Sequence, residues 1–160
     1  MSGNRDLLFV ALAVAVSGCA TQTQWITFPG NDGGKGVTLE AWLQQHPLKP
    51  DEEVGLVELS RGETASSHLV QIRKREGLHT HDKHDAIAIL LKGQGILAIG
   101  EQRLELKPGS IVTVPRGVPH SFVNKAQEPA VAYVLFTPAF DGKDRVPVEE
   151  ESLVRTETKP

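Results

Sequence analysis

The chain has 160 residues, of which 39% are hydrophobic and 23% are charged, and its formal net charge is −3. This length and composition are typical of one globular domain, which can bury a core without disulfide bonds or a structural metal. The negative net charge and the scarcity of aromatic residues exclude a basic, aromatic-lined groove for nucleic acid.

The first predicted element is an export signal over residues 1–18. Arg5 precedes an unbroken apolar stretch from Leu7 to Val16. This stretch is too short to cross the roughly 30 Å hydrocarbon layer of a bilayer as a helix. Residues 16–19, with the sequence VSGC, resemble the lipobox of bacterial lipoproteins, in which the cysteine is lipidated and becomes the mature N-terminus.

This resemblance implies a membrane anchor through lipid on Cys19. Cys19 is the only cysteine in the chain, which argues against a disulfide bond. Ala20 follows it, and the resemblance then implies the periplasmic face of the outer membrane. The alternative is an ordinary cleavable signal followed by a buried or chance cysteine, and Asp6 in the charged region keeps that alternative open.

Residues 19–53 are expected to form a tether and an entry segment. They contain a turn cluster from Pro29 to Gly34, followed by one or two helical turns from Leu39 to His46 that Pro47 ends.

From residue 54 to residue 138 the pattern changes to short alternating or apolar runs separated by turn residues. Eight strands are expected, at residues 55–60, 67–74, 86–92, 95–99, 102–106, 110–114, 120–124 and 130–136. Because no helical period intervenes, the pattern predicts an antiparallel barrel or a two-sheet sandwich. Residues 139–160 are expected to form a polar, peripheral tail.

Histidines near this barrel have the spacing of metal ligands. His79 and His81 are two residues apart, so in a strand both side chains point to one face. As neutral imidazoles, both can bind one metal ion. His120 is the candidate third ligand, because it begins a strand immediately after the rigid turn at residues 115–119.

The histidines also lie within two sequence motifs that resemble those of the cupin family. All five fixed positions of the second cupin motif are present, as Gly109, Pro115, Gly117, His120 and Asn124. The first motif is partly kept, as His79, His81 and Gly93. The resemblance covers roughly residues 55–138 and implies an all-β, double-stranded β-helix or jelly-roll barrel that binds a divalent metal.

The carboxylate of the first motif is the one position that departs from the family pattern. Counting forward from His81 places it at Asp85, whereas counting back from Gly93 places it at Ala86. If Asp85 points inward, the bulkier residues of the following strand do so too, and the bulkier face is expected to be the buried one. This argument favours Asp85 as the fourth ligand, with His84 as a substitute ligand or a hydrogen-bonding partner.

Three imidazoles and one carboxylate suit Fe, Mn, Ni, Cu or Zn, and the sequence does not choose among these metals. One functional hypothesis is a periplasmic, metal-dependent enzyme, of dioxygenase, isomerase or lyase type, that acts on a small oxygen-rich molecule. The other is a non-catalytic module that binds a metal or a small ligand, and a barrel whose histidines are ordinary polar residues stays open beside both.

Two further expectations concern what the protein binds. Arg73, Arg75, Lys83 and Arg116 lie near the motifs and could attract an anionic substrate. Two copies of the chain could pair as a homodimer through exposed sheet edges.

Overall fold

The computed structural model describes residues 23–26 and 36–149. Within these ranges the chain forms one short helix and twelve strands. The helix is α1 (Leu39–Gln45), and the strands are β1 (Trp25–Ile26), β2 (Val37–Thr38), β3 (Val54–Arg61), β4 (Ser66–Ile72), β5 (Arg75–Thr80), β6 (Asp85–Lys92), β7 (Gly95–Ile99), β8 (Gln102–Leu106), β9 (Ile111–Val114), β10 (His120–Asn124), β11 (Ala130–Thr137) and β12 (Val146–Pro147). The predicted signal at residues 1–18 and the predicted lipidation site at Cys19 lie outside the described residues. No helix in the described ranges is long and apolar enough to cross a bilayer.

Two five-stranded antiparallel sheets form the body of the molecule. The strand order is β12-β5-β10-β7-β8 in one sheet and β3-β4-β11-β6-β9 in the other. Most neighbouring strands are distant in sequence, so the chain crosses repeatedly between the sheets, as it does in a jelly roll. The core lies between them, where Val70 and Val134 of one sheet pack in the same cluster as Leu97 and Phe122 of the other. These observations confirm the predicted all-β, double-stranded β-helix.

All eight expected strands are present, and each of their ends lies within two residues of the expected position. β5 was not expected as a separate strand. The chain turns at Arg73, whose backbone N–H donates to the carbonyl of Glu53 at 2.8 Å and whose guanidinium donates to the carbonyls of Lys49 and Glu52. This turn ends β4 and returns the chain as β5, the strand that carries His79.

The expected helical turns correspond to α1. The Thr38 hydroxyl caps the first turn by accepting the backbone N–H of Ala41 at 3.2 Å. The helix ends at Gln45, two residues before Pro47, because proline restricts the residue that precedes it and cannot continue the hydrogen-bond ladder.

α1 packs on the outer face of the sheet that contains β4 and β11. Its Leu39 and Trp42 are buried and pack with Leu69 and Val131 of those strands. Burying side chains of this size stabilises the fold by about 1.5–3 kcal/mol each. This part of the entry segment therefore belongs to the folded domain and is not simply a tether.

The segment after β11 also differs from its expected position, because residues 139–149 are not peripheral. β12 pairs antiparallel with β5, with Val146 opposite Thr80 and Pro147 opposite His79. Phe140 and Asp144 are buried. We call residues 139–149 the C-terminal strap, and it runs directly beside the histidines.

Gly95 in β7 lies where the neighbouring strand β10 leaves no room for a side chain. A Cβ atom at this position would lie 2.3 Å from the carbonyl oxygen of Val123 and 2.4 Å from the ring of Phe122. We expect Gly95→Ala to lower the free energy of unfolding by about 3 kcal/mol, as overpacking of a core does. Urea unfolding measures this change. In the matched control, Gly62→Ala, the nearest atom would be 3.6 Å away, so equal losses in both variants would contradict the interpretation.

Candidate metal centre

The structure brings three of the predicted ligands together inside the barrel. His79 lies in β5, His81 follows that strand, and His120 begins β10, where it pairs with His79. One nitrogen from each ring lies within 4.8 Å of the corresponding nitrogen of the other two. All three side chains are buried. Within the described residues, these three form the only group with the spacing of metal ligands.

A bulge in β5 shapes the site. His120 pairs with His79 and Phe122 pairs with Glu76, so two residues of β5 lie opposite one residue of β10. The extra residue lets both Glu76 and His79 face the interior although they are three positions apart. The carbonyl of Gly77, within the bulge, accepts a hydrogen bond from Nδ1 of His79 at 2.8 Å.

The three imidazoles are oriented by backbone carbonyls. Nδ1 of His79 bonds to Gly77, Nδ1 of His81 to Asp144 at 2.6 Å, and Nδ1 of His120 to Val118 at 3.0 Å. A carbonyl can only accept, so each Nδ1 carries the proton and each neutral ring keeps a lone pair on Nε2. This is the arrangement in which a histidine binds a metal through Nε2.

Burial keeps the three rings neutral. Burial first, and then the neighbouring His120, lower the pKa of His79 from 6.5 to about 3. The pKa values of His81 and His120 are also lowered, mainly by burial. The lone pairs are therefore available at neutral pH without first losing a proton.

These pKa shifts predict that the metal-free protein loses stability as the pH falls below 6.5. Between pH 6.5 and about 3 the unfolded chain protonates histidines such as His79 that the folded protein holds neutral. Because the unfolded state binds more protons, the stabilisation is present above pH 6.5 and is lost as the pH falls. Thermal unfolding in chelator, from pH 7.5 to 5.5, measures the slope. We expect His79→Gln to flatten it, and an unchanged slope would contradict this.

Asp85, the predicted fourth ligand, lies apart from the three histidines. Its carboxylate accepts hydrogen bonds from the backbone N–H and the guanidinium of Arg116, with Nη2 at 2.6 Å. These bonds lower the pKa of Asp85 to about 2. This carboxylate is partly exposed and does not belong to the group of ligand atoms.

The argument from strand parity that favoured Asp85 is wrong. Ala86 and Leu90 face the interior, whereas Ile87 is 42% exposed. The bulkier face of β6 points outward, where Leu91 packs beside the cluster that α1 forms on the sheet. The rule that the bulkier face of a strand is buried failed here for two reasons. The inner face of β6 lines a cavity, and its outer face is partly covered by the cluster that α1 forms on the sheet.

His84, the alternative ligand, bonds to the C-terminal strap. Its Nδ1 donates to the carboxylate of Asp144 at 2.5 Å, and both side chains are buried. That carboxylate also accepts the backbone N–H groups of Asp82 and Lys83. Burial alone would raise the pKa of Asp144, but these hydrogen bonds outweigh it and hold the pKa below its usual value.

Asp144 was not predicted from the sequence, although it contacts the site twice. Its carbonyl orients His81, and its carboxylate fixes His84 and the turn between β5 and β6. It lies 60 residues from His84 and 63 from His81, so no local spacing could have indicated it.

Glu76 and Arg145 were also missed. Oε1 of Glu76 lies 3.5 Å from Nε2 of His79 and 3.7 Å from Nε of Arg145. Burial raises the pKa of Glu76, and Arg145 opposes this effect. Glu76 precedes the histidine pair by three positions, and without the bulge a strand would have turned it away from His79.

The histidines open into a cavity of about 670 Å³ within the barrel. Its wall is mostly aliphatic and aromatic, and alanines of β6 and β11 leave much of the space open. The apolar lining residues are Val54, Leu56, Val70, Ile72, Ala86, Ala88, Leu90, Leu97, Leu106, Val112, Val114, Phe122, Ala130, Ala132, Val134, Phe136 and Phe140. Phe122 and His120, two residues apart in β10, are both buried and both line the cavity.

Comparisons with known proteins agree with this architecture. The family model described as "Cupin domain" matches residues 55–136. An uncharacterized protein of Aquifex aeolicus is 36% identical over 98 residues, which cover 61% of this chain and 80% of that protein.

Solved structures of low sequence identity share the fold. KdgF from Halomonas sp. has a TM-score of 0.55 at 19% identity and covers 62% of this chain and 92% of its own. A variant of Streptomyces PAC13 with uridine has a TM-score of 0.54 at 14% identity, covering 63% and 82%. An RmlC-like cupin from Shewanella frigidimarina has a TM-score of 0.52 at 17% identity, covering 59% and 84%. Since the family model matches just over half of the residues and the sheets have the corresponding fold, the chain belongs to the cupin family.

Proposed function

We propose that the protein is a metal-dependent enzyme that acts on a small oxygen-rich molecule. His79, His81 and His120 would hold a divalent transition metal. The observation that carries this proposal is the convergence of three Nε2 lone pairs, each fixed by a carbonyl on the opposite ring nitrogen, at the wall of an apolar cavity.

The donor atoms of the site fit a transition metal. Imidazole nitrogens suit Fe, Mn, Ni, Cu and Zn, whereas Mg and Ca prefer a shell made of oxygens. A structural zinc site usually contains thiolates, and no cysteine belongs to this group of ligands.

Glu76 does not belong to the 4.8 Å group that the three histidines form, but its carboxylate lies against one of them. The 3.5 Å between its Oε1 and Nε2 of His79 is within the range that two ligand atoms of one cation span. Its side chain is only 18% exposed and lines the cavity, whereas the carboxylate of Asp85 pairs with Arg116 instead. We therefore propose Glu76 in the role that the sequence assigned to Asp85.

A bound metal ion would polarise a carbonyl, enol or carboxylate oxygen of the substrate. Residues around the histidines would orient the metal ligands and exclude water from the site. The carbonyl of Asp144 holds His81 in its ligating orientation, and the stacked rings of Phe136 and Phe140 lie against His81 and keep water from that side.

A non-catalytic module that binds a small ligand is the second candidate. The observation that favours it is the scarcity of groups able to transfer a proton. Apart from the three histidines, Glu53 and Glu76 are the only acidic or basic groups other than arginine among the lining residues. A site that only binds a ligand needs no such group.

We also propose that lipid on Cys19 anchors the protein at the periplasmic face of the outer membrane. The support is the lipobox-like sequence at residues 16–19. Fractionation of cells that express the wild type and Cys19→Ser tests this proposal. The wild type is expected with the membranes and the variant in the soluble fraction, and equal distribution of the two would contradict it.

Elemental analysis of the purified protein, followed by oxygen uptake with a panel of phenols and keto acids, tests the function. Near-stoichiometric transition metal and oxygen consumption with one compound class would support an enzyme of dioxygenase type. Bound metal, together with a ligand that is recovered unchanged after incubation, would favour the binding module. Protein that carries no transition metal and takes none up from solution would refute both versions of the metal site.

A further inference from the structure

The cavity has a polar end and an apolar interior. Four charged residues line it: Glu53, Arg75, Glu76 and Arg145. Arg75 begins β5 and so lies at the end of that strand away from His81. Arg145 is therefore the arginine of the lining that accompanies the histidines.

Arg145 comes from the C-terminal strap, lines the cavity and contacts two residues of β5. Its Nη2 donates to the carbonyl of Gly77 at 3.2 Å, and its Nε is 3.7 Å from Glu76. Its positive charge contributes to the lowered pKa values of all three histidines, as expected for a guanidinium close to each ring. The side chain is 41% exposed, so it lies where a ligand entering the cavity would reach it.

This guanidinium keeps donors for a ligand. Of its five N–H groups, one makes a close hydrogen bond within the described residues, and the contact with Glu76 is long. The fork of a guanidinium matches the two oxygens of a carboxylate. A divalent ion together with Arg145 would also outweigh the single negative charge of Glu76, so the site would attract an anion.

The cations expected from the sequence lie elsewhere. Arg75 also lines the cavity, but it begins β5 and lies at the end of that strand away from His81. Arg73 donates to backbone carbonyls at the turn after β4, and Arg116 pairs with Asp85 at the protein surface. Of the two arginines that line the cavity, Arg145 is therefore the one close to the histidines.

The part of the wall that β6, β9 and β11 form has only apolar side chains and offers no side-chain hydrogen bonds to the rest of a ligand. Ala88 and Ala132, in neighbouring strands, leave space, and Val112, Val114 and Leu90 complete this part of the wall. A sugar or another polyol placed here would lose hydrogen bonds to water without replacing them. A hydrocarbon or aryl group gains from burial, and the volume lies in the range of small-molecule sites.

We propose that the ligand of the site is a small monocarboxylate with an alkyl or aryl body. Its carboxylate binds to Arg145 beside the histidines, and its body occupies the alanine-lined interior. The proposal rests on the proposed function for the chemistry at the metal, but carboxylate binding depends on Arg145 and the cavity themselves.

Calorimetric titration of zinc-loaded protein with three probes tests the inference. 3-Phenylpropanoate carries both features, 3-phenylpropan-1-ol lacks the charge, and gluconate lacks the apolar body. We expect 3-phenylpropanoate to bind at least about tenfold more tightly than either of the others. Equal affinity for the alcohol, or preference for gluconate, would overturn the proposal.

Two variants locate the interaction. Arg145→Gln is expected to abolish the preference for the acid over the alcohol while zinc content stays unchanged. Arg145→Lys should keep part of the preference, because it keeps the charge and loses only the fork. The matched control is Arg116→Gln, which removes an arginine outside the cavity and should bind as the wild type does. Wild-type preference in Arg145→Gln would refute the assignment.

A third variant tests the apolar body. Ala88→Leu fills the interior and should weaken binding of 3-phenylpropanoate without weakening binding of acetate. If the wild type binds no zinc, the proposed metal function fails, and the same titrations on the metal-free protein still decide whether Arg145 selects apolar carboxylates.

Discussion

His120→Ala is expected to lower the affinity for a divalent transition metal by more than about 100-fold, because it removes one of three imidazole donors whose nitrogens lie within 4.8 Å of one another. The wild type should melt at a higher temperature when metal is added, because ligand binding stabilises the folded state by mass action. The variant should lose this increase. Elemental analysis after dialysis and thermal unfolding with and without zinc measure the two effects.

His46→Ala is the matched control for this substitution. His46 lies at the C-terminal end of α1, where it stacks on Trp42 outside the cavity. The His46→Ala variant should keep the metal content of the wild type, even if its melting temperature is slightly lower. Full metal content in His120→Ala, or equal loss in both variants, would contradict the assignment of the site.

Asp144→Ala is expected to act on both stability and metal affinity. The carboxylate accepts two backbone N–H groups and Nδ1 of His84 in a buried position, so its removal leaves three donors without that partner. We expect a loss of about 3 kcal/mol in the free energy of unfolding. We also expect metal binding to weaken by about 10–100-fold, because the strap then no longer fixes the carbonyl that orients His81.

Urea unfolding of the metal-free protein and competitive titration with a chelator separate these two effects. Asp141→Ala is the control, because Asp141 lies in the same strap and is exposed, and its carboxylate bonds only locally, to the N–H of Lys143. A variant of Asp144 that is destabilised but binds metal with wild-type affinity would show that the strap supports the fold without orienting the ligand.

Much of the barrel could be predicted from local patterns. Strands such as β7 and β10 have the expected bounds because glycine, proline and polar residues mark both ends of each apolar run. The convergence of His79, His81 and His120 was also predicted from the sequence, since two residues in an HxH pair share a face of a strand and the second motif supplies a third candidate ligand.

The rest of the site depends on features that local patterns do not contain. Glu76 faces the cavity because of a bulge, and a bulge changes strand parity without a distinctive residue. Asp85 was favoured by a rule about bulky residues that holds for a filled core. Here the interior of the barrel is a cavity lined partly by alanine, so Ala86 points inward and Ile87 outward.

The C-terminal strap has a consequence for how related barrels should be compared. The family match ends at residue 136, yet Asp144 and Arg145 follow that boundary. Two proteins with the same histidines and matching sheets can therefore differ in ligand choice through a few residues that alignments of the barrel omit. Exchanging the C-terminal strap between relatives would be a way to change which ligand they bind while leaving the shared barrel unchanged.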